Sequence, residues 1–204
     1  IDWEENKEET IHSAAEVWQM IFNSNQNWML SANGTIFDID KPGIIPSLLA
    51  RWYREREDLQ TKKEMATTPI DRIFWDKRQL VKKINLNTLY GAILNPGCRF
   101  FDKRIGQSTT LTGRVIAKHM SAFVNECFAG QYDHTGPAII YGDTDSVFFS
   151  AWPMLRKNVE AGEMEWSKES CIDLYKQVSK LTNDSFPQFM EKAFHCPIKN
   201  GSLI

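Results

Sequence analysis

The sequence has no apolar run approaching the roughly 20 residues that span a bilayer, so no membrane-crossing helix is expected. It also lacks the basic and apolar regions of a secretion signal. Its first residues, "IDWEENKEET", are acidic instead. The first of them is Ile rather than Met, which points to a processed chain or an excised segment. The four cysteines, Cys98, Cys127, Cys171 and Cys196, are scattered and form no CxxC pair. That spacing argues against a zinc site and fits reduced thiols in a cytoplasmic protein. The adjacent His195 and Cys196 read as helix-end residues rather than metal ligands. Internal repeats, low-complexity tracts and obvious linkers are lacking too.

What is present is ordinary in bulk and uneven in detail. With 204 residues, 42% hydrophobic and 25% charged, the chain can bury the core of one large domain or two small ones. A net charge of −2 argues at first against a nucleic-acid partner. Between Arg51 and Arg104, however, 13 Lys/Arg face 7 Asp/Glu, a local balance of +6 that leaves the rest at −8. A basic middle in an acidic chain suits a phosphate-facing surface, and equally a solvated pair of charged helices.

Periodicity places the elements. Residues 11–31 carry apolar side chains at helical spacing, up to the polar "NSNQN". "GTIFDIDKPGIIP" reads as two short strands around an Asp-Lys-Pro-Gly turn. Pro46 and Ser47 open a helix over 47–63, and Pro69 and Asp71 open another that runs to about Leu94, where "NPG" stops it. So short a connection predicts an antiparallel helical hairpin. Further helices are expected over 106–128 and 167–193. Between them lies "AIIYGDTDSVFFS", two strand-forming runs about a polar turn.

Two constellations carry chemistry. Asp143 and Asp145 share the tip of that hairpin, and strand-like backbone would put both on one face. Like charges so close call for a proton or a divalent cation, and Mg²⁺ commonly combines a few carboxylates with substrate phosphates. Alone, the pair reads as an ordinary Asp-rich turn. In "KKINLNTLYG", Lys83, Asn87 and Tyr90 occupy i, i+4 and i+7 and share a helix face. Charge for phosphate, a ring for base or sugar and an amide for orientation make a nucleotide surface. A merely solvated polar face remains the alternative.

Together these motifs resemble those of family B DNA polymerases. "KINLNTLYG" is similar to the family's KxxxNxxYG motif, and "YGDTDS" matches its metal-binding motif without a substitution. "FFDKRIGQSTTLTGR" resembles a palm segment, particularly that of polymerases from large tailed bacteriophages. "SANGTIFDIDKPGIIPSLLARWYREREDLQ" resembles the approach to the fingers in the same group. The resemblance covers roughly Leu30 to Pro197. It implies an α+β fold: helical-hairpin fingers over 47–95 and a partial palm over 96–204, with an antiparallel sheet backed by helices. Residues 1–46 would form a palm-flanking segment.

The same resemblance implies template-directed DNA synthesis in DNA replication, as a nucleotidyltransferase. A primer 3′-hydroxyl attacks the α-phosphate of a dNTP, with two Mg²⁺ ions at the site. Position by position, Asp145 is the principal metal ligand and Asp143 supports it. Lys83 and Arg56 contact the triphosphate, Lys83 also as a catalytic residue that donates a proton to the leaving pyrophosphate, Asn87 orders that face and Tyr90 lies near the nascent base pair. Tyr141, Gly142 and Thr144 fall beside the primer-template. Primer-template DNA and dNTPs are the implied partners, a sliding clamp is a candidate, and no membrane is involved. The implied location is the cytoplasm of the host cell of a virus.

Three departures qualify this. Gln60 stands where relatives often carry a lysine, and Lys62 and Lys63 are not expected on the same face. The connection between the two fingers helices is shorter than in phage relatives. The upstream DxxSLYP aspartate, the exonuclease motifs and the lysine-rich motif before the thumb find no match. The chain therefore reads as a fragment or split subunit, inactive alone, that needs the missing portion carrying that aspartate. The alternative is a non-catalytic module that binds DNA or a replication partner.

Overall fold

The structure, a computed structural model, describes residues 13–23 and 27–200. Its elements run α1 (Ala14–Asn23), β1 (Trp28–Leu30), β2 (Ile36–Asp38), α2 (Ile44–Glu64), α3 (Pro69–Ile93) and α4 (Lys103–Ala129). They continue with β3 (Ile139–Asp143), β4 (Ser146–Phe149), α5 (Trp152–Glu160), α6 (Lys168–Phe194) and a 3₁₀ turn, Ile198–Asn200. The fold is α+β, mostly helical, with two separate two-stranded antiparallel sheets among the described residues. None of the helices described is long and apolar enough to cross a membrane.

Local chemistry explains most boundaries. Thr68 caps α3, its hydroxyl accepting from Asp71 N at 3.1 Å, with Pro69 at the first helical position, where no N–H is needed. Asp102 caps α4 by accepting from Arg104 N at 2.8 Å, and Gly130, at φ 67°, ends that helix. Ser167 and Ser170 cap α6 reciprocally. His195 ends α6 at φ 53°, and its Nδ1 lies 2.7 Å from Trp28 O, so the expected helix-end residue also ties β1 to α6.

The first hairpin corrects the sequence reading. The helix expected to end near "NSNQN" is Ala14–Asn23, and the Trp28–Leu30 segment beyond it is a strand; residues 11, 12 and 24–26 lie outside the described residues. Trp28 pairs with Asp38 and Leu30 with Ile36, so the turn is "SANGT", with Gly34 at φ 83°. The "DKPG" stretch leads into α2 instead. Pro46 sits in that helix's first turn, where proline is tolerated, so "IIP" opens the helix three residues earlier than expected.

α4 organises the body, packing against α3, β3, β4, α5 and α6. The core gathers on it and its neighbours, with Ala122, Val124, Ala138, Val178, Phe186 and Phe194 buried. By contrast, α2 has no fully buried residue and α3 only Ile93, so the α2–α3 hairpin stands clear of that core.

His119 is buried on α4, stacked on Phe189 with ring centroids 3.8 Å apart. Ser185 Oγ donates to Thr182 O at 2.7 Å and therefore accepts from His119 Nε2–H at 3.0 Å. Nδ1 then accepts from Tyr132 Oη at 2.6 Å. Burial lowers the His119 pKa, favouring the neutral ring. The unfolded chain binds this proton near pH 6.5 and the folded chain only at lower pH. Stability is thus full above about pH 6.5 and falls as pH drops towards the folded value. Urea midpoints at pH 7.5 and 5.5 should show that loss, and a His119→Phe variant should flatten it.

Candidate functional site

The carboxylate hairpin is closed by a two-residue turn. Asp143 ends β3 opposite Ser146, leaving Thr144 and Asp145 as the connection. Thr144 has φ 32°, a strained value for a β-branched residue, so strand alternation does not continue from Asp143 to Asp145. Both acids are nevertheless exposed, as are Tyr141, Gly142 and Thr144. Thr144 Oγ1 donates to Asp143 Oδ1 at 3.0 Å, whereas Asp145 has no hydrogen bond or ion pair among the described residues. A bulge at Ile140 shifts the register, and Tyr141 pairs with Phe148, their rings 5.9 Å apart. Gly142 turns towards α4: a Cβ there would lie 3.8 Å from Ser121 Oγ, an ordinary contact.

A buried amide anchors this hairpin. Asn125, on α4, is fully buried, accepts from Ala138 N at 3.1 Å and donates to Gln131 O at 2.9 Å. It thereby fixes the chain just before β3. Sequence reading passed over Asn125, whose only signal was an amide in an apolar helical stripe.

The second constellation lies on the helical hairpin. Contacts Lys63–Asp76 and Arg56–Gln79 run in opposite senses along α2 and α3, as an antiparallel pair requires. Gln79, Lys83, Asn87 and Tyr90 form one stripe of α3 at spacings of four, four and three. Arg56 Nε donates to Gln79 Oε1 at 3.3 Å, which brings Arg56 to the Lys83 stripe. Lys63 joins them, contrary to expectation: it follows Arg56 by seven residues, two turns of helix, and donates to Asp76 Oδ1 at 2.6 Å. Lys83 and Asn87 are exposed. Tyr90 is half-buried, its hydroxyl donating to Gly106 O at 3.4 Å and so tying α3 to the start of α4.

Charge on the hairpin is sorted by partner. Lys82 pairs with Glu55 and Lys63 with Asp76, and these hydrogen bonds are the leading cause holding both carboxyls below their ordinary range. Arg56 and Lys83 have no carboxylate partner among the described residues. Away from the stripe, Glu55, Asp58, Leu59, Lys62, Arg78 and Lys82 line a cleft of about 490 Å³, and Lys62 lies 5.3 Å over the Trp75 ring. No group of three His, Cys, Asp or Glu that would hold a metal occurs among the described residues.

Motifs at this spacing on these elements invite comparison with known proteins. The sequence model of DNA polymerase family B matches residues 4–196. The chain belongs to that family. Among curated relatives, this polymerase-family chain is 34% identical over 112 residues to the DNA polymerase delta catalytic subunit of Oryza sativa subsp. japonica, covering 54% of the chain and 10% of that protein. It is 32% identical over 115 residues to a DNA polymerase of Desulfurococcus sp. (strain Tok), 56% of the chain and 14% of that protein. A DNA polymerase of Thermococcus sp. (strain 9oN-7) is 27% identical over 158 residues, 78% of the chain and 18% of that protein. The chain thus spans between 10% and 18% of the length of these relatives.

Proposed function

We propose that the chain is the fingers and partial palm of a template-directed DNA polymerase, a fragment or split subunit that transfers a nucleotide from dNTP to a primer 3′-hydroxyl. The fingers are 47–95, the partial palm 96–204, and 1–46 flanks the palm. The carrying observation is the exposed Asp143–Asp145 turn of a family B chain that also keeps Arg56 and Lys83 on one helical-hairpin face, free of carboxylates. Kinship within the family is proposed with polymerases of large tailed bacteriophages, on the motif likeness of 100–114, which makes the host-cell cytoplasm the working location.

Two exposed carboxylates are hard oxygen donors and fit Mg²⁺, which binds through one or two carboxylates plus substrate phosphates. Asp143 and Asp145 would hold it, and the remaining carboxylate would come from the missing portion. Bound Mg²⁺ supplies Lewis-acid activation and charge stabilisation. The chain's own residues do the positioning. Arg56 and Lys83 neutralise the triphosphate, Asn87 orients it, and Tyr90 backs the base pair from the α3–α4 junction. Tyr141, Gly142 and Thr144 border the primer terminus. Gly142 fits such a role because its surroundings within the chain would admit a side chain, so close packing does not explain the glycine. Phosphoryl transfer relies on this kind of positioning and charge stabilisation.

Mixing the chain with a polypeptide that carries the remaining family B segments should restore Mg²⁺-dependent primer extension, which the chain alone lacks. Failure of every such partner, with an intact relative extending normally, would sink the split-enzyme reading. In the restored enzyme, Lys83→Ala should lower kcat/KM for dNTP roughly ten- to a hundredfold, the value of one charge-assisted hydrogen bond. The lack of a third clustered carboxylate among the described residues keeps a second reading in play, a non-catalytic module binding primer-template or a sliding clamp. It predicts salt-sensitive DNA binding by the chain alone that Asp145→Ala leaves unchanged, with no extension in any mixture.

A further inference from the structure

A side-chain relay crosses the α2–α3 hairpin. Lys63 Nζ donates to Asp76 Oδ1 at 2.6 Å, Gln79 Nε2 donates to the same oxygen at 3.1 Å, and Arg56 Nε donates to Gln79 Oε1 at 3.3 Å. The Gln79 amide can point only one way there. Turned over, its NH₂ would meet the guanidinium and its carbonyl would meet the carboxylate, and both contacts would repel. Asp76 therefore orients Gln79, and Gln79 orients Arg56. Ionised Asp76 is what the relay needs, and the hydrogen bonds from Lys63 and then Gln79 favour that form.

Resting on the nucleotide-binding reading of this face, we infer that Gln79 is a positioning residue that holds Arg56 beside Lys83 for a polyphosphate ligand. Arg56 is gripped at Nε alone, so its two terminal nitrogens have no partner among the described residues and remain open to oxyanions. Lys83 stands one turn beyond Gln79 on the same stripe. An untethered arginine would lose several rotatable bonds' worth of freedom on binding, whereas a tethered one has lost part of it already. Lys63 and Asp76 are part-exposed, and an ion pair so placed contributes little to the fold itself.

The test is calorimetric titration of the chain with inorganic tripolyphosphate at low salt. Gln79→Leu should weaken binding roughly three- to tenfold, the range of one hydrogen bond's net worth. In an Arg56→Ala background the same change should have no effect, because nothing is left to position. Equal losses in both backgrounds, or no loss in either, would overturn the positioning role. Gln79→Met provides a second variant should the Leu protein unfold early, and the same pair of outcomes decides. The parent reading fails separately. If the Arg56→Ala/Lys83→Ala protein binds tripolyphosphate as tightly as the unaltered chain, this face is not the phosphate site. Absence of binding by the unaltered chain removes both.

Discussion

Asp145→Ala, introduced into a polymerase restored by the missing portion, should lower Mg²⁺-dependent primer extension by roughly a hundred- to a thousandfold, the range for deleting one preorganised charge-stabilising group. The substitution should leave the fold untouched. Asp145 is exposed in a two-residue turn and makes no hydrogen bond or ion pair among the described residues, so its removal strands no partner. Surface changes of that kind usually alter stability by less than about 0.5 kcal/mol. Loss of activity at an unchanged melting temperature would therefore report on chemistry alone. Asp143→Ala is a less clean probe, because the Thr144 hydroxyl donates to that carboxylate. Extension by the Asp145→Ala enzyme within tenfold of the unaltered one would refute the assignment of Asp145 as the principal metal ligand.

The same hairpin shows how far the sequence could be read. Its strands were legible because β-branched and aromatic runs flank turn chemistry, and its two acids because the motif has no substitution. The positive φ of Thr144 was not legible, since threonine rarely adopts that region and only the closed register demands it. Helices α3 and α6 announced their starts through Pro69 and Ser167, residues whose place at a helix start follows from local geometry. The first hairpin misled for the same local reason. Gly and Pro in "DKPG" are strong turn signals, yet proline also starts helices, and Pro46 lies in the first turn of α2. α5, only nine residues long, is shorter than the stretch over which helical periodicity can be read.

The candidate site divides along the same line. Lys83, Asn87 and Tyr90 were visible because they lie on one helix, where spacing alone determines the face. The Lys63–Asp76–Gln79–Arg56 relay spans two helices and depends on their register, which no single periodicity encodes. Lys63 was not expected on the Arg56 face, yet its seven-residue spacing from Arg56 returns it to the same side of the helix. Asn125 was hidden differently: an amide within an apolar stripe becomes informative only once the groups it satisfies, Ala138 N and Gln131 O, are known.

Asn125 underlies the largest expected effect on stability, obtained at its neighbour Gly136. A Cβ added there would lie 2.1 Å from Asn125 Nδ2 and 2.2 Å from its Cγ, distances no packed methyl group tolerates. Asn125 is fully buried and bonded at both ends of its amide, so it cannot swing aside as an exposed side chain would. Gly136→Ala must therefore either overpack the site or expel the amide. Expulsion leaves Ala138 N–H, on a residue with no exposed surface, and Gln131 O without their partner. Overpacking and the stranded groups together should destabilise the chain by about 3 kcal/mol or more. Urea unfolding measures this directly, and an unchanged midpoint would refute the clip. Asn125→Ala should be destabilising alone, yet adding Gly136→Ala to it should cost little further, because the obstructing amide is gone. Hydrogen exchange then links the clip to the carboxylates. Amides of 139–149 should lose protection in Gly136→Ala before those of α6, since the clip holds the chain one residue ahead of β3. A hairpin freed at its base would carry Asp143 and Asp145 with it, so in a restored polymerase this variant should lose extension at temperatures where α6 is still folded.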